Sequence, residues 1–127
     1  MYLILMKTYN RNAQEKSFEL SLKIIRLCRH LQLREREYIL SKQLLKSGTS
    51  IGANLEEAVG SQTDKEMYTK MHIAYREARE SKYWLRLINK SAYANDVDTI
   101  EIEEGVEELL RILGASISTL KKKLQKP

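Results

Sequence analysis

Cysteine, proline, histidine and long apolar runs are all scarce in this chain of 127 residues, and each scarcity removes a class of protein. A single cysteine, Cys28, rules out an intramolecular disulfide and any multi-cysteine metal site. The one proline is Pro127, so nothing interrupts long helices. Aromatics make up 7% and charged residues 31%, a balance that suits helices with solvated faces better than a strand-rich core. The apolar run MYLILM at the start is too short to span a bilayer, has no basic segment before it and is followed by no small-residue cleavage site. The expectation is a cytoplasmic protein with no membrane partner. Asn89-Lys90-Ser91 has the form of a glycosylation sequon, which carries no meaning in that compartment.

What is present is helical periodicity. One stripe runs through Leu44, Gly48, Ile51, Leu55 and Ala58, and another through Met67, Met71, Ala74, Ala78, Ser81, Leu85 and Ile88. Their alternating three- and four-residue spacings make bundle seams. Ile102, Val106, Leu109, Leu113, Ile117, Leu120 and Leu124 give the stripe of a last helix, which is expected to begin near Asp98 as its cap. The first helix is expected to start near Asn12, with Glu15 completing a capping-box-like pair. It has two apolar rows: Leu20, Ile24, Leu27 and Leu31, and beside them Phe18, Leu22 and Ile25. A second row fits either contact with another subunit or a deeply buried helix. A charged turn at residues 33–36, a C-cap at Gly60 and a capping box at Thr63 and Glu66 divide the rest. The pattern predicts an all-α, antiparallel up-down four-helix bundle in one domain, 1–127, with helices at about 12–31, 35–60, 64–91 and 98–124.

The segment from Gln43 to Ser61, QLLKSGTSIGANLEEAVGS, places small and polar residues where a buried helix is normally oily. Gly48 and Gly52 each cost about 1 kcal/mol relative to alanine in a helix, and close approach of a neighbouring backbone is the usual compensation. Ser47, Ser50, Ile51, Ala53, Asn54 and Glu57 form the pattern S-x-x-S-I-x-A-N-x-x-E, and KMHIAYREARESKYWLRL follows it. These residues resemble the bacterial four-helix-bundle family of 23S rRNA-intervening sequence proteins, over a stretch from about Ser17 to the C-terminal lysines. The resemblance implies a homopentamer and no settled activity. A more distant resemblance is to the accessory protein of diversity-generating retroelements, which works with a reverse transcriptase and its RNA. Two departures stand out: Asn54-Leu55-Glu56-Glu57-Ala58 replaces the commoner N-I-A-E-G, and residues 61–68 depart from the usual Q-S-x-x-[DE]-F.

No residue set points to catalysis. A di-iron bundle needs inward-facing Glu-x-x-His pairs, but Leu27 and Thr69 stand three residues before His30 and His72. No metal or cofactor is therefore expected. Lys46-Ser47-Gly48-Thr49 lacks the glycines of a phosphate-binding loop, and Ser118 with Lys121 has Ser-x-x-Lys spacing without its partners. Cys28 sits on an apolar face with Ile24 and Leu31, as a small buried side chain does. The chain is read as a non-enzyme.

Two polar features remain. Asn54 and Glu57, with Arg76, Glu77, Arg79 and Glu80, are placed to form a network between the second and third helices. Together with Ser47 and Ser50 they make an interhelix motif that sets register or a subunit interface, or else binds a ligand. The net charge is +5, of which Lys121, Lys122, Lys123 and Lys126 supply four, leaving an almost neutral body. This tail complements the helix dipole and aids solubility, or it attracts nucleic-acid phosphates without reading bases. The function expected is that of an oligomeric assembly protein with RNA or an RNA-processing protein as partner. The alternative is a protein-protein interaction scaffold with no nucleic-acid role.

Overall fold

The computed structural model describes the backbone of residues 2–91, 93 and 96–126, and the side chains of residues 10–91, 93 and 99–126. Four helices follow one another: α1 (Tyr2–Arg34), α2 (Ile39–Val59), α3 (Asp64–Lys90) and α4 (Asp96–Leu124). Each packs on its chain neighbour and α4 returns to α1, which closes an up-down four-helix bundle.

The start of α1 departs from the sequence expectation. Asn12 is exposed within a continuous helix and caps nothing. Asn10, Ala13, Ser17, Leu20, Ile24, Leu27 and Leu31 form the buried stripe, with steps of three and four residues, so the helical face extends past the expected cap. Its first members are polar or small and were invisible as core. Buried Asn10 points its amide Nδ2 at the sulfurs of Met71, 3.3 Å away, and Met67, 3.8 Å away. The expected cap at Asp98 falls two residues inside α4, and its side chain, like those of the MYLILM run, lies outside the described residues.

The α1–α2 corner is built on Glu37. Glu35 and Glu37 both donate their N–H to the Leu31 carbonyl, and Arg36 between them takes the left-handed conformation, φ 53°. The Glu37 carboxylate then accepts the first N–H groups of α2, from Ile39 at 3.0 Å, Leu40 at 2.9 Å and Ser41 at 2.7 Å. Burial pushes its pKa up, but these hydrogen bonds outweigh burial and hold it below its ordinary value of 4.5. α2 thus begins at Ile39 rather than near residue 35, because the capping group is a carboxylate two residues ahead of the helix. The Cys28 thiol, donating to the Ser41 carbonyl at 3.3 Å, is pushed up to about 12 by burial and then by the charge on Glu37.

Small residues bring the helices together. A Cβ on Gly48 would lie 2.6 Å from Ile24 Cδ1, and one on Gly105 would lie 2.9 Å from Leu20 Cδ1. The stripes predicted for α2 and α3 are the buried faces, and Ser47 and Ser81 join them through a buried Oγ–Oγ hydrogen bond of 2.9 Å. Gly60 occupies the C-cap of α2 at φ −81°, an ordinary right-handed conformation. Thr63 accepts from Glu66 N at 3.1 Å while Glu66 Oε2 accepts from Gln62 N at 2.9 Å, so α3 opens on the predicted capping box.

Candidate interaction surfaces

Two outer faces of the bundle open into grooves. The first is the outside of α1. Phe18 is 62% exposed and Leu22 38%, with Ile25 half-buried along the same row, so in the single chain this row does not reach the core. Of the two explanations for a double apolar row, burial within the chain is excluded. A groove of about 880 Å³ runs beside it, lined by Phe18 and Leu20, by Gly52 and Ala53 of α2 and by Gly105 of α4. Both lysines on its rim are taken, Lys16 by Glu108 at 2.5 Å and Lys23 by Glu101 at 2.5 Å, and Gln14 donates to Glu56; Glu15 and Glu19 on the same rim leave it with a surplus of acid. The adjacent lysines hold Glu101 and Glu108 below the usual carboxylate range.

The second surface is the α3–α4 seam, a groove of about 670 Å³. α3 contributes Tyr75, Arg79, Lys82, Tyr83 and Arg86, while α4 contributes Arg111, Gly114 and a single acid, Glu107. Glu107 is taken by Lys82 at 2.5 Å. The Arg79 guanidinium stands 6.0 Å above the Tyr75 ring, and Tyr83 meets Trp84 edge-on at 5.1 Å. The sequence reading placed Arg79 in the motif between α2 and α3 and gave Tyr75 and Tyr83 no role. The signal was the Tyr75, Arg79, Tyr83, Arg86 spacing, a single row on the helix.

The interhelix motif is only partly drawn together. Ser47 reaches α3 through Ser81, but Ser50 Oγ donates back to the Lys46 carbonyl and half-buried Asn54 donates to the Ser50 carbonyl at 2.8 Å. Among the described residues, no hydrogen bond or ion pair joins Asn54 or Glu57 to Arg76, Glu77 or Glu80. Half-buried Glu77 has its pKa raised, first by burial and then by Glu80, against Lys46 and Arg76. Exposed Glu80 accepts from Trp84 Nε1 at 3.3 Å, and Glu57 and Arg76 are exposed. In the tail, Lys121, Lys122 and Lys126 are exposed, whereas Lys123 pairs with Asp64 at 2.9 Å and ties the end of α4 to the start of α3.

Among the described residues no three His, Cys, Asp or Glu side chains gather as metal ligands, and His72 instead stacks at 5.8 Å on Tyr68. No described helix is long and apolar enough to cross a membrane. These features define a class: a four-helix bundle with close-packed small-residue seams and an unpartnered apolar row on its first helix. Within that class, the 23S rRNA-intervening sequence protein family matches residues 10–115, and the chain belongs to that family. The crystal structure of a protein of unknown function from the S23 ribosomal protein family, from Bacteroides thetaiotaomicron VPI-5482, is 34% identical to this chain. It superposes with a TM-score of 0.81 over 89% of this chain and 98% of that one. No protein of curated function matches the sequence.

Proposed function

We propose that the protein is a non-catalytic assembly protein of the cytoplasm, which self-associates through the outer face of α1 and offers basic surfaces of the resulting ring to RNA. The observation that carries this reading is the exposed row of Phe18 and Leu22 beside a groove floored by Gly52, Ala53 and Gly105. Apolar area of this kind is stabilised by burial against a second apolar surface. Five copies is the number the family resemblance implies. RNA as partner draws support from the tail, where Lys121, Lys122 and Lys126 are exposed and make no ion pair among the described residues. Repetition around a ring multiplies such charges and adds avidity. The resemblance to the retroelement accessory protein points to the same partner class, in company with a reverse transcriptase. Among the motif residues, exposed Arg76, Glu57 and Glu80 act at the subunit interface in this reading.

Light scattering of the full chain, paired with fluorescence anisotropy on labelled RNA at two salt concentrations, tests the proposal. A multiple of the chain mass with salt-sensitive binding supports it, and a monomer at micromolar concentration sinks the assembly half. A second reading, a protein-protein scaffold, is favoured by the apolar residues at the α1–α2 corner: Leu33 is 75% exposed, Tyr38 50% and Ile39 76%. Salt-insensitive capture of a protein partner, abolished by Ile39→Asp, would establish that reading instead.

A further inference from the structure

We infer that the α3–α4 groove, rather than the lysine tail, is where this protein holds a nucleic-acid strand, and that the strand is single. The inference rests on the RNA reading above and assigns it a place. Charge is the first argument. Four cations line the groove against one carboxylate, and that carboxylate is matched by Lys82 at 2.5 Å. Arg79, Arg86 and Arg111 make no ion pair among the described residues; Arg111 feels the Glu108 carboxylate nearby, which leaves the Arg79 and Arg86 guanidinium groups the most available to an external anion. Arginine meets phosphate through paired N–H donors, and it is more weakly hydrated than lysine.

Geometry is the second. Tyr75, Arg79, Tyr83 and Arg86 alternate ring and guanidinium along one face of α3, over about 16 Å of helix at 1.5 Å per residue. That is the arrangement that follows a strand, with cations tracking the phosphates and the exposed Tyr83 ring accepting a base. The parts are held in place before any ligand arrives. Arg79 rests over the Tyr75 ring, and Tyr83, 55% exposed, is braced edge-on against half-buried Trp84. Across the groove, a Cβ on Gly114 would sit 3.6 Å from Tyr75 Cε2, so the missing side chain leaves the edge of that ring open to the groove.

The same parts argue against other anions. A duplex offers phosphates but keeps its bases stacked away from the tyrosines, and an acidic peptide has no flat ring for Tyr83 to stack on. The lysine tail has charge without any aromatic partner, and Lys123 is engaged with Asp64.

The experiment is fluorescence anisotropy of the full chain with labelled twelve-nucleotide RNA and DNA of one sequence and a blunt RNA duplex, at several salt concentrations. Three variants are compared: Arg79→Gln with Arg86→Gln, Tyr83→Ala, and Lys121→Gln with Lys122→Gln and Lys126→Gln. Circular dichroism and light scattering verify fold and assembly. The double arginine variant should weaken single-strand binding on the order of tenfold or more and flatten the salt slope by about 1.4, about 0.7 for each lost phosphate contact. Tyr83→Ala should weaken the single strand several-fold and leave the duplex unchanged, while the tail variant, which removes attraction but no ring, should lose single strand and duplex by the same factor and less than the arginine variant loses single strand. The RNA and DNA arms show whether the 2′-hydroxyl contributes, and tighter binding of either single strand than of duplex supports the groove. Loss in the tail variant with full binding in the arginine variant overturns this inference and leaves RNA as partner. Absence of any nucleic-acid binding at low salt overturns both. Equal displacement by polyglutamate, or duplex bound as tightly as single strand, also overturns it.

Discussion

The outer face of α1 and the α3–α4 groove are both open surfaces on the same bundle, and they differ in how their charges are settled. Around α1, both rim lysines are taken within the chain, Lys16 by Glu108 and Lys23 by Glu101, and Glu15, Glu19 and Glu56 leave a surplus of acid beside an apolar row and a floor of glycine and alanine. Along α3–α4, among the described residues, Lys82 is the one groove cation in an ion pair, and Arg79 and Arg86 stand among tyrosines with Arg111 beside Glu108. A surface with an apolar row and paired lysines gains from burying carbon, and such association strengthens or holds steady as salt rises and screens its surplus acids. A surface with surplus cations gains from a polyanion, and that gain falls steeply with salt. Two grooves of similar size thus call for partners of different chemistry.

The largest effect expected is on the α1 side. Phe18→Glu with Leu22→Glu should reduce the assembly to single chains in light scattering while leaving the far-ultraviolet circular dichroism unchanged, since neither residue supports the core. Persistence of the wild-type mass would move self-association elsewhere. Next comes the joint between α1 and α2, on which the α1 groove depends. Gly48→Val drives a side chain into Ile24 and should lower unfolding free energy by about 1–3 kcal/mol in urea titration. An unchanged midpoint would mean that the close approach is not required.

The Glu37 corner comes third and touches neither groove, so it separates stability from binding. Glu37→Gln should cost about 1–2 kcal/mol at neutral pH, because one carboxylate caps three N–H groups of α2. The folded pKa of Glu37 lies below its ordinary value of 4.5, so its contribution is complete above the unfolded value and fades as pH falls through the folded one. The variant and wild type should therefore converge in melting temperature on acidification below about pH 4. A gap that stayed constant to pH 2 would assign the effect to shape rather than charge. The smallest effect is at Gly60, where a Cβ would meet only carbonyl oxygens 3.7 Å away and the backbone is right-handed. Gly60→Ala should add about 0.4–1 kcal/mol by restricting the unfolded chain and leave both grooves untouched. A loss of stability there would show that this helix end needs glycine's freedom.

Legibility from sequence followed the character of each residue. The seams of α2 and α3, and that of α4 from Ile102 to Leu120, were readable because apolar residues recur there every three or four positions, though Leu124 at the end of the expected α4 stripe is exposed; the Thr63–Glu66 capping box was readable because its two partners lie close in sequence. The N-terminal half of the α1 seam was not, since Asn10, Ala13 and Ser17 carry too little hydrophobicity to register as core. Glu37 falls past the charged turn at 33–36, inside the helix expected from about residue 35; only the path of the chain through Arg36 places it ahead of α2 and brings its carboxylate back onto the first turn. The basic groove escaped for a different reason. Its two walls come from residues 75–86 and 107–115, and no local pattern joins them.

By itself, then, the order of residues determined the class of fold: uninterrupted helices, their hydrophobic period and their small-residue seams are local properties, and each helix can bury its stripe only against the others. Tertiary structure decided which charges remain unspent. Lys123 and Asp64, or Lys82 and Glu107, are far apart in sequence, and counting lysines cannot tell a paired cation from a free one. The tail that looked most basic in the sequence is partly neutralised by folding, while the arginines scattered along α3 and α4 are gathered by it into one groove.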